Sequence, residues 1–227
     1  MIWRDGSGRA LTDYPRPSVA VDVALLTLDA EGRLAVLLHE RGEGYAAGRW
    51  SLPGTFVREH ERLQDAALRA LRDKTGVSGE EPEQLRVFDD PARDDRGRVL
   101  SVAHVDLVPA DRLGPARILA PVVGDPARPV LPEGQPGLPF DHDAIVAAAA
   151  DWARRLYQAS PDPRELIGPE FTLLDLQRVH EAVADRPLLK DAFRRGMLPR
   201  LEETGELRRG VVGKPARVFR RRAGPAS

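Results

Sequence analysis

The chain has 227 residues, 42% of them hydrophobic, which suffices for one large domain or two small ones with packed cores. It contains no cysteine, so disulfides and thiolate metal sites are excluded. No apolar run approaches the roughly 20 residues of a membrane span. Because the N-terminal residues also lack the apolar segment of a signal peptide, we expect a soluble, cytoplasmic protein without membrane contact.

Charge is distributed unevenly along the chain, although the formal net charge is only −1. Residues 186–222 hold twelve Lys and Arg against four acids, a net charge of +8, so the remainder carries −9. An acidic body with a basic end is typical of proteins that carry a nucleic-acid-binding appendage. The charge pattern therefore indicates that the C-terminal part binds nucleic acid.

The first two thirds of the chain predict a domain of strands and helices. Residues 19–26 read as a strand with one buried face, and residues 34–39 as its hairpin partner. We also predict strands at 50–57, 85–88 and 99–108, and helices at 61–75 and 143–158, the first ending at Gly76. The proline-rich segment 109–139 is predicted to be an irregular surface loop, and 160–169 a linker.

The last third predicts a helix, a turn, a second helix and a basic hairpin. Thr172 and Asp175 form an N-cap pattern before a stripe of apolar residues, Leu173, Leu176, Val179 and Val183. A second stripe is formed by Leu189, Phe193 and Met197. Two strand-like runs, 207–209 and 216–219, flank Gly210 and Gly213. This order is that of a winged helix-turn-helix.

Cationic side chains on these predicted elements are candidates for DNA contact. Arginine on a helix in the major groove pairs with guanine O6 and N7, and wing cations suit phosphates or the minor groove. The candidates are Lys190, Arg194 and Arg195 on the second helix, Arg208, Arg209, Lys214 and Arg217 on the wing, and Thr172, whose hydroxyl lies at a helix N-terminus. A solvated surface charge is the alternative for each cation taken singly.

The segment 52–77, LPGTFVREHERLQDAALRALRDKTGV, follows in order the frame of a Nudix box, G-x5-E-x7-R-E-U-x-E-E-x-G-U, where U is apolar. Matching positions are Glu61, Arg69, Leu71, Gly76 and Val77. Thr55 replaces the first glycine, and Ala70, Asp73 and Lys74 replace three glutamates. An ordinary amphipathic helix would not reproduce the whole run, so the segment resembles a degenerate Nudix box.

The replaced glutamates are those expected to bind metal. Positions 70, 73 and 74 lie on one side of a helix, where three carboxylates would hold Mg²⁺ for pyrophosphate cleavage. A unit charge about 4 Å away at an effective dielectric near 20 is worth about 4 kcal/mol, so replacing attraction by repulsion at Lys74 is expected to remove most of the metal affinity. The sequence therefore predicts no metal site and no catalytic residue, and His142 is interpreted as a capping or structural residue and not a catalytic base. Lys74 is left to pair directly with a phosphate.

Eight residues are candidates for binding a phosphate-bearing ligand, because guanidinium forks pair with oxyanions and an indole stacks on a base. They are Arg41, Arg49, Trp50, Arg69, Lys74, Arg93, Arg96 and Arg98. Two plainer interpretations stay open: the arginines of the 93–98 turn are solvated surface charges, and Trp50 is part of the core.

The run FTLLDLQRVHEAVADRPLLKDAFRRGML, followed by LEETGELRRGVVGKPARVFRRR, resembles the DNA-binding half of the Nudix-related transcriptional regulators of NAD metabolism. With the box and the turn FDDPARDDRGRVLSVAHV, the resemblance spans about residues 19–222. It implies a homodimeric bacterial repressor that binds a palindromic double-stranded operator, senses ADP-ribose or a related nucleotide or sugar phosphate, and has neither cofactor nor hydrolase activity. Ala192 and Gly196 depart from the family's frequent Asn and Lys, so a different operator sequence is expected.

The resulting fold class is α+β. Residues 1–160 are predicted to form a Nudix-like α/β/α sandwich with a mixed sheet that senses ligand and dimerises, and residues 161–227 a winged helix-turn-helix. Two other functions stay open: an active Nudix hydrolase of ADP-ribose-like substrates with an accessory DNA-binding domain, and a DNA-binding protein whose Nudix domain is only a dimerisation scaffold.

Overall fold

The N-terminal part is a mixed sheet between two helices. A computed structural model describes residues 3–114, 118–209 and 214–222. The strands run in the order β5-β6-β1-β2-β7-β8, with β3 beside β2 and β4 beside β1; among the described strands of this sheet, only β1 and β6 pair in parallel. The elements are β1 Ser18–Leu28, β2 Leu34–Glu40, β3 Trp50–Ser51, β4 Gly54–Phe56, α1 Leu63–Thr75, β5 Glu83–Phe88, β6 Val99–Leu107, β7 Ile118–Val123, β8 Arg128–Pro129 and α2 His142–Ala159.

Strand β1 is buried on both faces, so the prediction of a single buried face is wrong. Val21 and Val23 point to one face of the sheet, where they pack with Ala67 of α1. Ala24 and Leu26 point to the other face, where they belong to the cluster formed with α2. Because successive side chains alternate along a strand, a helix on each face buries them all. The α/β/α sandwich itself is confirmed.

The proline-rich segment 109–139 is more ordered than predicted. Strand β7 lies within it and pairs antiparallel with β2, and its Ala120 and Val122 are buried in the core. Pro121 interrupts the apolar run and lacks an amide donor, which hid the strand in the sequence. Its carbonyl is still used, because it accepts a hydrogen bond of 2.7 Å from the amide of Val130.

The C-terminal part has the predicted winged-helix order, β9 Glu170–Thr172, α3 Leu173–Ala184, α4 Lys190–Met197, β10 Leu201–Arg208 and β11 Ala216–Arg221. Its sheet runs β10-β11-β9. The predicted cap is confirmed: Asp175 N donates to Thr172 Oγ1 over 3.2 Å, and Thr172 N donates to Asp175 Oδ2 over 2.9 Å. The turn predicted at Gly210 and Gly213 lies outside the described residues. No helix in the described part of the chain is long and apolar enough to cross a membrane.

The two apolar stripes of this part pack differently from the prediction. On α4, Phe193 and Met197 are buried. Leu189 is the N-cap of α4 and is 83% exposed, so the prediction that it belongs to the buried stripe is wrong. On α3, Leu176 belongs to the winged-helix core. Val179 and Val183, in contrast, join the cluster that contains α2. The two parts of the chain therefore share an apolar interface.

The predicted linker 160–169 is tied to both parts by Asp162, which is completely buried. Its carboxylate accepts a 2.7 Å hydrogen bond from the Tyr157 hydroxyl on α2 and forms an ion pair with Arg221 on β11. Two backbone amides of the same segment also donate to it. The Asp162 amide donates to Nε2 of His180 on α3 over 3.4 Å. One carboxylate thus connects α2, the segment after it and the winged helix.

Candidate functional site

A cavity of about 450 Å³ lies over the α2 side of the sheet, beside the C-terminal end of α1. Its walls come from β1, β2, β4, the end of α1, the turn after β5 and the start of α2. Four of the eight predicted ligand-binding residues line it: Arg41, Lys74, Arg93 and Arg96. The fold therefore gathers cations that are up to 55 positions apart in the sequence.

Asp22 is the buried anion at the base of this cavity. Its carboxylate accepts from Ser101 Oγ over 2.6 Å and lies 3.4 Å from Arg93 Nη2 and 3.3 Å from His142 Nε2. Burial favours the neutral acid, but the hydrogen bonds from His142 and Ser101 and the charge of Arg93 outweigh it and lower the pKa of Asp22 to about 2. Asp22 is therefore ionised at neutral pH.

His142 is held in one tautomer by its neighbours. The amide of Leu52 donates to its Nδ1 over 3.2 Å, so Nδ1 is an acceptor and the proton is on Nε2, facing Asp22. The ring is 2% exposed and packs against Phe140. This geometry suits a residue that fixes the start of α2, in agreement with the structural role expected from the sequence.

Gly54 is required by this arrangement. It lies opposite Asp22 in the β1–β4 pair, and a Cβ added there would be 2.0 Å from Asp22 Oδ1 and 3.0 Å from the carbonyl oxygen of Val21. Any side chain at this position would displace the buried carboxylate. The glycine of the LPG run thus has a packing reason within the site.

Two of the lining arginines are committed to carboxylates. Arg93, with 3% of its side chain exposed, binds Asp141 through Nε at 2.9 Å and Nη2 at 2.6 Å. Arg96 binds Asp94 in the same bidentate manner, at 2.9 and 2.7 Å. These two bidentate pairs form part of the cavity wall, and a carboxylate balances the charge of each guanidinium group.

An aromatic wall stands beside Arg96, and the sequence reasoning missed it. The guanidinium carbon of Arg96 lies 5.0 Å from the ring centres of both Tyr45 and Phe140, whose rings stack 5.6 Å apart. The guanidinium carbon of Arg41 also lies over the Phe140 ring, 5.3 Å from its centre. Both aromatics come from loops without a periodic pattern, so no sequence signal connects them.

Two cations of the cavity have no carboxylate within 4 Å in the part of the chain that the structure describes. The guanidinium of Arg41 donates only to the carbonyl of Tyr45, over 3.1 Å. Lys74, at the end of α1, forms no ion pair with a described residue. Burial, together with the charge of Arg96, lowers the pKa of Arg41. The cavity thus presents uncompensated positive charge to a ligand.

The other predicted ligand-binding residues lie outside the cavity. Arg69 binds Glu61 with two contacts of 2.7 Å, which fixes the loop before α1. Arg49 donates to the carbonyls of residues 136 and 137, and Arg98 to that of residue 89. Trp50 is half-buried against the main core, as the plainer interpretation held. The structure does not bring these four residues together.

The degenerate box offers no place for a divalent metal among the described residues. Ala70 faces the core and is 1% exposed, Asp73 pairs with Arg72 at 3.1 Å, and Lys74 takes the position nearest the cavity. No group of three or more described His, Asp or Glu side chains is arranged to hold a metal. Mg²⁺ requires several oxygen ligands in octahedral array, and the residues present do not fit it.

A second surface is formed by α4, whose buried side rests on the winged-helix core through Phe193 and Met197. On the other sides, Lys190, Arg194 and Arg195 are exposed and form no ion pair within the described ranges. The helix therefore presents three uncompensated cations to solvent, and a helix of this kind fits the major groove of DNA.

The predicted wing residues divide into paired and unpaired cations. Arg208 lies 3.1 Å from Asp175, and Arg217 lies 3.2 Å from Glu203. Arg209 and Lys214 are exposed and without an ion pair in the described residues. The wing thus adds two unpaired cations to those of α4.

Thr172 was expected to offer its hydroxyl to a DNA phosphate. Its side chain is instead 7% exposed, and its hydroxyl donates to Asp175 over 2.8 Å. The hydroxyl serves the helix cap, because the cap needs it to accept the Asp175 amide at the same time. The sequence predicted the helix cap, but it did not show that the Thr172 hydroxyl has both of its hydrogen-bond partners within that cap.

The arrangement defines a class of protein, a Nudix fold with a degenerate box joined to a basic winged helix. Two family models match the chain: the NUDIX domain over residues 18–117, and the NrtR DNA-binding winged helix domain over residues 163–221. The chain is 30% identical to the ADPR responsive transcriptional repressor NtrR of Acinetobacter baylyi, over 92% of this chain and 84% of that protein.

Two further comparisons extend this result. The crystal structure of Shewanella oneidensis NrtR complexed with a 27mer DNA superposes with a TM-score of 0.67 at 30% identity, covering 90% of this chain and 93% of that one. An ADP-ribose pyrophosphatase of Methanocaldococcus jannaschii is 30% identical over 61% of this chain and 76% of its own length. The chain belongs to the NrtR family of Nudix-related transcriptional repressors.

Substituting Gly54→Ala tests the buried network. We expect a loss of about 3 kcal/mol or more in the free energy of unfolding, because the new methyl group displaces Asp22 from its hydrogen-bonded partners. Urea denaturation measures this loss. Gly42→Ala is the matched control, since Gly42 lines the same cavity and a Cβ there meets nothing within 4 Å. Equal stability of the two variants would contradict the role given to Gly54.

Proposed function

We propose that the protein is a cytoplasmic, homodimeric transcriptional repressor that binds a palindromic operator and responds to ADP-ribose or a related nucleotide or sugar phosphate. The observation that carries this proposal is the uncompensated cationic surface of α4, mounted on a winged-helix core. The family membership supports it, since the Acinetobacter baylyi relative is an ADPR responsive repressor and the Shewanella oneidensis relative was crystallised with DNA.

On DNA, α4 would lie in the major groove. The planar guanidinium groups of Arg194 and Arg195 would pair with O6 and N7 of guanine. The ammonium group of Lys190, on its flexible side chain, would bind a phosphate. Arg209 and Lys214 on the wing suit the backbone or the minor groove. In a dimer, two such helices would address half-sites one helical turn apart, about 34–36 Å. Ala192, on an exposed side of α4, offers a methyl group that suits thymine.

The cavity suits a nucleotide for two reasons. Arg41 and Lys74 supply cations for phosphate oxygens, and Phe56 and Phe140 line the cavity with aromatic rings, the kind of side chain on which bases stack. We propose that this cavity, in a domain extending to about residue 160, is the sensor. The sandwich would also supply the dimer contact.

Helix α2 is the element that would carry the signal. It has 18 residues, hence a length of about 27 Å. His142 at its start belongs to the cavity wall, and Tyr157 near its end binds Asp162, which is paired with Arg221 of the winged helix. A ligand that shifts the start of α2 would therefore shift the winged helix, and through it the spacing of the two wings in a dimer. DNA affinity and ligand affinity must then change by the same factor.

We propose further that the protein does not hydrolyse its effector, because the box lacks the carboxylates for a catalytic metal. The alternative is an ADP-ribose hydrolase with an accessory DNA-binding domain, which the likeness to the Methanocaldococcus jannaschii pyrophosphatase favours. Incubation with Mg²⁺ and ADP-ribose, followed by chromatography for AMP, separates the two. We expect no AMP above that of a protein-free control, and metal-dependent release at enzyme-like rates would establish the alternative.

Substituting Arg194 and Arg195 by Ala tests the DNA-binding helix. In a gel shift on the DNA upstream of the protein's own operon, the double variant should lose sequence-specific binding, because the guanidinium forks that read base edges are gone. The matched control replaces Arg33 and Arg72, two exposed arginines of the Nudix part, and so removes the same charge. Specific binding that survives in the Arg194 and Arg195 variant would exclude this helix as the reader.

A further inference from the structure

The degenerate box places a lysine where the metal-binding pattern has a glutamate, and the structure shows where that lysine lies. Lys74 lines the cavity at the end of α1, one turn after Ala70, whose methyl group faces the core. Asp73 is engaged by Arg72 on the outer surface. Two of the three carboxylates of the metal-binding pattern are therefore missing, the third is paired on the surface, and a positive charge lines the cavity.

Positive charge is also concentrated around Lys74. Arg41 lines the same cavity, and Arg96 lies close enough to contribute to the lowered pKa of Arg41 after burial itself. His39, on β2 between these groups, has its pKa lowered by burial first and then by the charges of Lys74 and Arg41, against a hydrogen bond to the Glu40 carbonyl that raises it. The site therefore resists further protons and favours an anion.

The described carboxylates of the cavity form no ion pair with Lys74 or Arg41. Asp22 is held by Ser101, Arg93 and His142, and Asp94 is held by Arg96. Glu43 is exposed on the rim and forms no ion pair with a described residue. Lys74, at the end of α1, and Arg41, directly after β2, are thus the cations of the described cavity lining that are left for a ligand.

We propose that this cavity binds the diphosphate group of a nucleoside diphosphate without a divalent metal, with Lys74 and Arg41 taking the place of the ion. The inference rests on the proposed sensor function and deepens it. The ammonium of Lys74 is a compact point charge on a flexible stem, and it can follow the phosphate oxygens. A metal-free site also explains how binding can be separated from hydrolysis, since cleavage needs the metal as a Lewis acid.

Calorimetric titration of the full chain with ADP-ribose, in EDTA and in excess Mg²⁺, tests the proposal. We expect the dissociation constant to agree within about twofold between the two buffers. Lys74→Ala should weaken binding in EDTA by about tenfold or more, as expected for a charge-assisted contact, and Lys74→Arg should retain most of the affinity. Arg72→Ala, on the same helix but outside the cavity, is the control and should bind like the wild type.

The outcomes separate this proposal from the broader one. Binding only in Mg²⁺ would overturn metal independence while leaving the sensor function standing. Equal affinity of Lys74→Ala and wild type in EDTA would overturn the role of Lys74. No binding in either buffer would overturn both proposals and would favour the Nudix part as a dimerisation scaffold. Titration with ADP and with ribose 5-phosphate shows whether the diphosphate is the recognised group, and tighter binding of ribose 5-phosphate than of ADP would contradict it.

Discussion

Helix α2 is held at each end by a buried carboxylate, and the rest of the molecule depends on this constraint. At its start, Asp22 of the central strand faces His142 Nε2 at 3.3 Å. Near its end, Asp162 accepts from Tyr157 at 2.7 Å and pairs with Arg221 of the winged helix. Removing one partner of the buried Asp162–Arg221 ion pair would cost about 3–5 kcal/mol, and the contact between His142 and Asp22 ties the start of the helix to the central strand. The helix is therefore a direct structural connection between the cavity and the winged helix.

In the degenerate box, the residues that stabilise the local structure match the Nudix pattern, whereas the residues that would bind a metal do not. Glu61 and Arg69 still form a bidentate pair that fixes the loop before α1, and Arg69 lowers the pKa of Glu61 to about 2. Gly76 still ends the helix in the left-handed conformation, with φ of 68°. The changes fall on positions 70, 73 and 74, which carry the metal in an active box. Two of the three glutamates of the pattern are replaced by residues without a carboxylate, which agrees with the proposed role as a sensor.

Sequence patterns predicted most of the elements because hydrophobic periodicity and caps are local. The Thr172 cap, the Gly76 stop and the order of the winged helix needed only neighbouring residues. Strand β7 was missed because Pro121 breaks its apolar run, and the second buried face of β1 because burial depends on what packs above it. Leu189 fits the helical spacing, but it lies at the N-cap, beyond the turns that touch the core.

The site was predicted less completely, for a physical reason. Charge identifies the cationic side chains that are able to bind phosphate, and two of them, Arg41 and Lys74, do line the cavity. It does not show which guanidinium groups the fold already uses, and Arg49 and Arg98 are bound to backbone carbonyls. Tyr45 and Phe140 meet only through tertiary structure, across 95 positions of sequence.

The central claim is that ligand binding and DNA binding are coupled through α2. The most direct measurement is the affinity of the full chain for its operator DNA, determined by fluorescence anisotropy with and without saturating ADP-ribose, and for ADP-ribose with and without the DNA. The account predicts that each ligand changes the affinity for the other by the same factor, and that Tyr157→Phe, which removes the hydroxyl bound to Asp162, reduces this factor. Tight binding of both ligands with no effect of either on the other would contradict the account.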